Sequence, residues 1–363
     1  MRIKALAWLI FLLLAHPAGA QYKTALPGYR FEFPKDHFNH PKFQTEWWYF
    51  TGNVTSDDGH RFGYELTFFR QGLNREAKKG ETWDIEDVYL AHLALSDIDG
   101  SQFYHTERTN RAGPGIAGID EAAQRIWNGN WNVLWSGADQ KLQAVDERFR
   151  LLLTLHPEKP PVIHGEKGVS QKAEGLGRAS HYISLTRLKT NGTIEVGKNT
   201  FRVNGDSWMD HEFFTHQLEA NQVGWDWLSI QLSDNSELML YQIRRKDGSV
   251  DPHSSGTYVD QRGESLHLRA SDFVLAPEGK IWKSPVTAAT YPILWRISIP
   301  KLGIELETST ELKTQEISGQ SKIAPSYWEG AIGLTGRKGA NRLGGVGYLE
   351  MTGYDHPTDL GTE

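Results

Sequence analysis

Two carboxyls and an imidazole stand side by side at Asp210-His211-Glu212, within Trp208-Met209-Asp210-His211-Glu212-Phe213. These are the side chains that give and take protons in acid–base catalysis. On a regular strand Asp210 and Glu212 share one face with Trp208, while His211 points the other way with Met209 and Phe213. A triad made from these three alone would therefore need a bulge or a strand end to turn them together. The structural alternative is that Asp210 and Glu212 bond neighbouring backbone or an arginine.

Acids recur beside aromatic rings in Glu46-Trp47-Trp48-Tyr49-Phe50, Trp225-Asp226-Trp227 and Tyr327-Trp328-Glu329. Indole and phenol rings offer large apolar faces with one polar edge, which suits a pocket that grips and orients an apolar ligand. The run from Glu46 to Phe50 lacks alternation, so its strand must be buried on both faces. Glu46 must then be paired, with Arg61 or Arg70, or carry a raised pKa useful to a general acid. Gly224 to Leu232 alternates cleanly: Trp225, Trp227, Ser229 and Gln231 take one face, and Asp226, Leu228, Ile230 and Leu232 the other. His92, set among Leu90, Ala91, Leu93 and Ala94, reads either as a satisfied core histidine or as a ligand contact.

The candidate catalytic residues are Asp210, His211, Glu212 and Glu46. The candidate ligand-binding residues are Trp47, Trp48, Tyr49, His92, Trp225, Asp226, Trp227, Tyr241, Trp328 and Glu329, with Asp210, Glu212, Trp225 and Trp227 expected to face one shared hollow. No metal or cofactor is expected. His211 and His216 match no zinc spacing, cysteine is absent, and neither Gly-x-Ser-x-Gly nor a phosphate loop occurs.

Short β-rich runs must position these groups, among them 62–70, 88–95, 149–155, 182–188, 228–232, 238–243, 294–299 and 304–308. Turn residues punctuate them at Asp57-Asp58-Gly59, Asp99-Gly100, Asn191-Gly192, Asn204-Gly205, Asp247-Gly248 and Pro277-Glu278-Gly279. The class is all-β, as a barrel or sandwich. A chain of 363 residues exceeds one ordinary core. Two domains are expected, 21–219 and 220–363. Lys159 to Arg178, with Pro160-Pro161, reads as a long surface loop or a lid.

Residues 1–20 read as a secretory leader: Arg2 and Lys4, an apolar run, then Ala18-Gly19-Ala20. The expected location is periplasmic or secreted, with no stable membrane span once the leader is removed. Its removal leaves 39 − 2 = 37 basic against 45 acidic side chains, a formal −8. That balance disfavours nucleic acid as a partner.

The chain resembles the carotenoid 1,2-hydratase and AttH-like family. The resemblance is carried by Glu46 to Val54, Leu66 to Arg70, Ala91 to Asp97, Trp208 to Phe213, Gly224 to Leu232, Tyr327 to Ala331 and Gly347 to Tyr354. It implies an exported protein of two lipocalin-like antiparallel β-barrels acting on an apolar small molecule, hydrolase-like or hydratase-like. A hydratase would protonate a terminal alkene from Asp210, Glu46 or Glu212 in an aromatic pocket. As a second reading, the resemblance implies a non-catalytic periplasmic lipid or small-molecule carrier working with an ABC transporter permease. One position departs from the hydratase pattern: an acid expected two residues after Tyr241 is Ile243, which argues against a carotenoid.

Overall fold

The computed structural model describes residues 22–73, 85–113, 115–318 and 326–358; the expected leader, residues 1–20, lies outside them. One sheet takes β1 (Thr45–Ser56), β2 (Arg61–Gly72), β3 (Asp87–Asp97), β4 (Gln102–Arg111), β5 (Ala117–Asp120), β6 (Arg125–Asn128), β7 (Trp131–Ser136), β8 (Asp139–Val145), β9 (Phe149–Pro157), β10 (Val162–Ile163), β11 (Ser170–Gln171), β12 (Ala179–Val196) and β13 (Asn199–Phe214). A second takes β14 (Gln222–Leu232), β15 (Glu237–Arg245), β16 (Ser255–Val259), β17 (Ser265–Arg269) and β18 (Val274–Pro277), then, beyond a small hairpin of β19 (Ile281–Lys283) and β20 (Thr290–Pro292), β21 (Trp295–Ile299), β22 (Ile304–Ser309), β23 (Glu316–Ile317), β24 (Tyr327–Lys338) and β25 (Asn341–Thr352). The class is all-β, and the chain passes from one sheet to the other between Phe214 and Gln222.

In the first sheet the order is β4-β3-β2-β1-β13-β12-β9-β8-β7-β6-β5. It curls into a nearly closed barrel around Trp48, Phe50, Phe62, Leu66, Trp131 and Leu151. Side chains bridge the remaining gap: Asn110 Nδ2 donates to Asn128 Oδ1 at 2.6 Å, and Asn128 Nδ2 donates to the Tyr89 carbonyl at 3.2 Å. The second sheet, β17-β16-β15-β14-β25-β24-β22-β21-β18, curls into a half-barrel around Leu228, Trp295, Ile297, Trp328 and Leu349.

The outer face of β1, β2, β12 and β13 packs on that of β14, β15, β24 and β25. This contact explains the aromatic run without alternation. Both faces of β1 are covered, one by the first barrel's interior and the other by the second sheet. β13 reports the same boundary along its length, exposed over much of its first half and buried throughout from Ser207 to Phe214.

Two turn expectations fail. Asn191-Gly192 and Asn204-Gly205 lie inside β12 and β13, where Asn191 pairs with Asn204. Glycine serves close backbone approach there: a Cβ on Gly205 would lie 2.2 Å from the Asn53 carbonyl oxygen. Between the sheets the tightest glycine is Gly63, whose Cβ would meet the Ala331 Cβ at 2.5 Å. Gly63→Val is accordingly expected to cost about 2 kcal/mol of stability through overpacking. Urea unfolding followed by tryptophan fluorescence checks it.

Candidate active site

Strand parity carries one row of side chains straight across the first sheet. Ser184 pairs with Asp210, Asp210 with Tyr49, Tyr49 with Thr67, and Thr67 with His92, across β12, β13, β1, β2 and β3. A second row faces it from the other sheet: Tyr241, Trp227, Glu350 and Glu329 on β15, β14, β25 and β24. Between the rows lies a cavity of about 560 Å³, which Trp47, Phe69, Leu90, Glu212, Trp225 and Tyr327 also line.

Asp210 is buried and held by three donors. The Tyr182 hydroxyl donates to Oδ2, and the Ser184 hydroxyl and Trp208 Nε1 donate to Oδ1, the last at 2.6 Å. Trp227 Nε1 donates in turn to the Tyr182 oxygen at 3.0 Å, so the opposite sheet fixes that donor. Burial pushes the Asp210 carboxyl up, the three hydrogen bonds pull it down, and the charge of Glu212 pushes again, leaving it raised to about 7. It is a carboxylic acid available as a proton donor near neutral pH.

Glu212 is fixed differently. Ser180 and Gln217 donate to it, and the Lys172 ammonium lies 3.3 Å away. Lys172 also sits 3.9 Å above the Tyr241 ring. Burial is the largest influence and works against the Lys172 charge, but Glu212 and Tyr241 together outweigh it and raise the Lys172 pKa. The stretch expected to be a surface loop or lid thus pairs with β12 through β10 and β11 and sends a buried cation into the cavity wall.

Three further acids gather on the opposite side. Glu329 accepts a hydrogen bond from the Tyr49 hydroxyl, and Glu350 accepts one from Trp225 Nε1 at 3.2 Å. Glu65 is fully buried, accepts from the Thr67 hydroxyl and leaves Oε2 without a partner among the described residues. Burial is the first cause in each case and neighbouring carboxylates add to it: Glu350 rises to about 7 with Asp210 and Glu212 pushing, Glu65 to about 8 with Glu350 pushing, and Glu329 well above the carboxylate range with Glu65 and Glu350 pushing.

Of the residues singled out in the sequence, Trp47, Tyr49, His92, Asp210, Glu212, Trp225, Trp227, Tyr241 and Glu329 line the one cavity. Glu46, Trp48 and His211 do not. The alternation that turns Trp47 and Tyr49 to the cavity turns these three to the opposite face, where His211 stacks on Trp48 at 4.7 Å. Asp226 and Trp328 also point away. Asp226 is held by Gln242, Arg244 and Tyr354, and Trp328 lies in the second core. Tyr182, Ser184, Lys172, Glu65 and Glu350 were not singled out. The parity of Gly347 to Tyr354, which aligns Tyr348, Glu350 and Thr352, is the signal that reaches Glu350.

Glu46 sits in an ion network that clamps the segment before β1 to the barrel. His40 Nδ1 lies 2.7 Å and His211 Nε2 2.8 Å from Oε1, and Arg70 Nε lies 3.2 Å from Oε2. His40, Glu46 and His211 place ligand atoms within 4.8 Å of one another, and here they are spent on these mutual bonds. Burial would raise the Glu46 carboxyl, but His40, His211 and Arg70 overcome it and hold it far below the usual range. Glu46→Gln is expected to cost about 3–5 kcal/mol by breaking a buried pair, with turnover per folded molecule retained. Urea unfolding beside active-fraction-corrected rates checks both parts.

A family model described as AttH-like matches residues 24–354. The chain is similar to a putative AttH from Nitrosomonas europaea, 30% identical, with 92% of this chain and 99% of that one covered at a TM-score of 0.82. Kievitone hydratase from Nectria haematococca has the same fold at 15% identity, with 93% of this chain and 98% of that one covered at a TM-score of 0.68. The dehydratase AsqC of Emericella nidulans is 22% identical over 283 residues, which are 74% of this chain and 77% of AsqC.

Proposed function

From the premise that the chain belongs to the AttH-like family, we propose that it is a hydro-lyase acting on an apolar, terpenoid or lipid-like small molecule in the cavity between its sheets. The observation that carries this reading is Asp210: a carboxyl fixed by three donors, raised to about 7, in a hollow walled by indole and phenol rings. A fold shared with kievitone hydratase and a relative named as a dehydratase support the class of reaction.

In the hydration direction Asp210 gives its proton to one carbon of an alkene, and the π pair becomes the new C–H bond. The cation left on the neighbouring carbon lies among Trp47, Tyr49 and Trp227, whose ring faces stabilise positive charge. Water adds to that carbon, and the oxonium passes its extra proton to a carboxylate. Glu350, raised to about 7 and paired across the strands with Trp227, is suited to receive it. Two acids of matched affinity can thus exchange roles, and dehydration is the reverse path.

Export through the 1–20 leader completes the proposal. The same apolar hollow also favours a second reading, a carrier that hands its ligand to an ABC transporter. Incubation with acyclic terpenoid alkenes and tertiary alcohols in ¹⁸O-water separates the two. The hydro-lyase reading expects ¹⁸O in the alcohol product and its loss in Asp210→Asn; tight, unchanged ligand with no ¹⁸O uptake speaks for the carrier.

A further inference from the structure

His92 lines the cavity, is buried, and uses only half of its hydrogen-bonding capacity. Its Nδ1 lies 2.6 Å from the Tyr327 hydroxyl of the opposite sheet, while its Nε2 has no partner among the described residues. The tautomer follows from the partner. A neutral phenol has one proton to give, and the group within hydrogen-bond reach of it among the described residues is Nδ1. The proton of a neutral imidazole then resides on Nε2, which becomes a buried donor facing no acceptor. Burial supports the neutral forms of both groups, lowering His92 to about 4 and raising Tyr327 well above the phenol range.

We propose that His92 Nε2–H anchors a neutral acceptor oxygen of the cavity's occupant, the ligand being an extended apolar chain with a carbonyl oxygen at this end and its reacting alkene or tertiary alcohol at Asp210. His92 and Asp210 lie three strands apart in one cross-strand row, which sets the two polar points about 14 Å apart along the sheet. The oxygen is neutral because its anchor is: burial holds both His92 and its partner Tyr327 in their uncharged forms. A carboxylate there would be buried with no compensating charge, whereas a ketone needs only the hydrogen bond. Phe69, Leu90 and Val88 make the approach apolar. The Asp210 end of this assignment rests on the hydro-lyase reading; the His92 end does not.

The test uses farnesylacetone, an acyclic terpenoid ketone, beside the hydrocarbon of the same chain without the carbonyl. Quenching of tryptophan fluorescence reads binding to the full-length protein. Wild type is expected to prefer the ketone by about tenfold, the worth of one satisfied buried donor. His92→Phe should bring the two probes to near parity while still binding the hydrocarbon, and His92→Gln, which can donate from its amide, should keep part of the preference. Asp210→Asn should keep the whole preference and lose turnover. Equal binding by wild type, no ketone binding by wild type, or an undiminished preference in His92→Phe overturns the proposal. Nitrogen-15 shifts of ligand-free protein read the tautomer without any probe: a protonated Nε2 is expected, and a protonated Nδ1 overturns it. Retained turnover in Asp210→Asn counts against the hydro-lyase reading alone.

Discussion

Asp210→Asn is expected to lower turnover by about 10²- to 10⁴-fold, the usual worth of a positioned general acid, while leaving the protein folded. The amide fits the same volume and keeps one oxygen to accept from Ser184 and Trp208. What it loses is the acidic proton. Its nitrogen also faces the Tyr182 hydroxyl, which donates to Asp210 Oδ2, so a modest loss of stability accompanies the loss of rate. Tyr182→Phe separates these effects, since it removes the bridge to Trp227 and retains the acid. Steady-state rates with thermal unfolding on the same samples give the comparison. A residual rate in Asp210→Asn within a few-fold of wild type would remove this residue from the chemistry.

Conformational stability is expected to fall as pH rises from about 6.5 to about 8; below that window the buried histidines His37, His92, His164 and His181, which burial holds below the ordinary imidazole value, act in the opposite direction. Burial holds Asp210 at about 7 against an ordinary 3.8, and Glu65 at about 8 against 4.5. The folded state therefore keeps protons that the unfolded state has released, and each rise in pH favours unfolding. The contribution is whole below the unfolded values and is lost as pH passes through the folded ones. Each displacement corresponds to about 4–5 kcal/mol. Glu65→Gln should flatten the curve above about pH 6 and make the variant more stable than wild type at pH 8. Urea midpoints measured across this range decide the matter, and midpoints independent of pH would contradict it. For hydration, kcat/KM should pass through a maximum near pH 7, falling above it as Asp210 ionises and below it as Glu350 takes up a proton.

Much of this arrangement was legible in the sequence because strands have a period of two. Parity alone places Asp210 and Glu212 with Trp208, separates them from His211, and puts Trp225 and Trp227 on one face. The same parity, carried through the run after Glu46, distinguishes Trp47 and Tyr49 from Glu46 and Trp48. Without the partner sheet, however, nothing in that run tells which face meets a cavity and which a core.

Pairings between distant segments were not legible. Asp210 is governed by Tyr182 and Ser184, and Glu329 by Tyr49, 280 positions away in the chain. Lys172 was hidden for another reason: it lies in a stretch rich in proline and glycine whose composition reads as surface, yet it closes the wall beside Glu212. Gly192 and Gly205 misled because Asn-Gly is a turn signal wherever the strands do not need the missing Cβ for close approach.

The protonation state of Asp210 in the folded protein is the quantity on which the rest depends. Carbon-13 NMR of protein labelled at the aspartate carboxyls, titrated from about pH 4 to 9, reads it, with the Asp210→Asn spectrum assigning the resonance. A midpoint near 7 is expected, well separated from the solvent-facing aspartates. A resonance that ionises together with those aspartates, at about 4, would contradict a buried acid poised to donate its proton into the cavity.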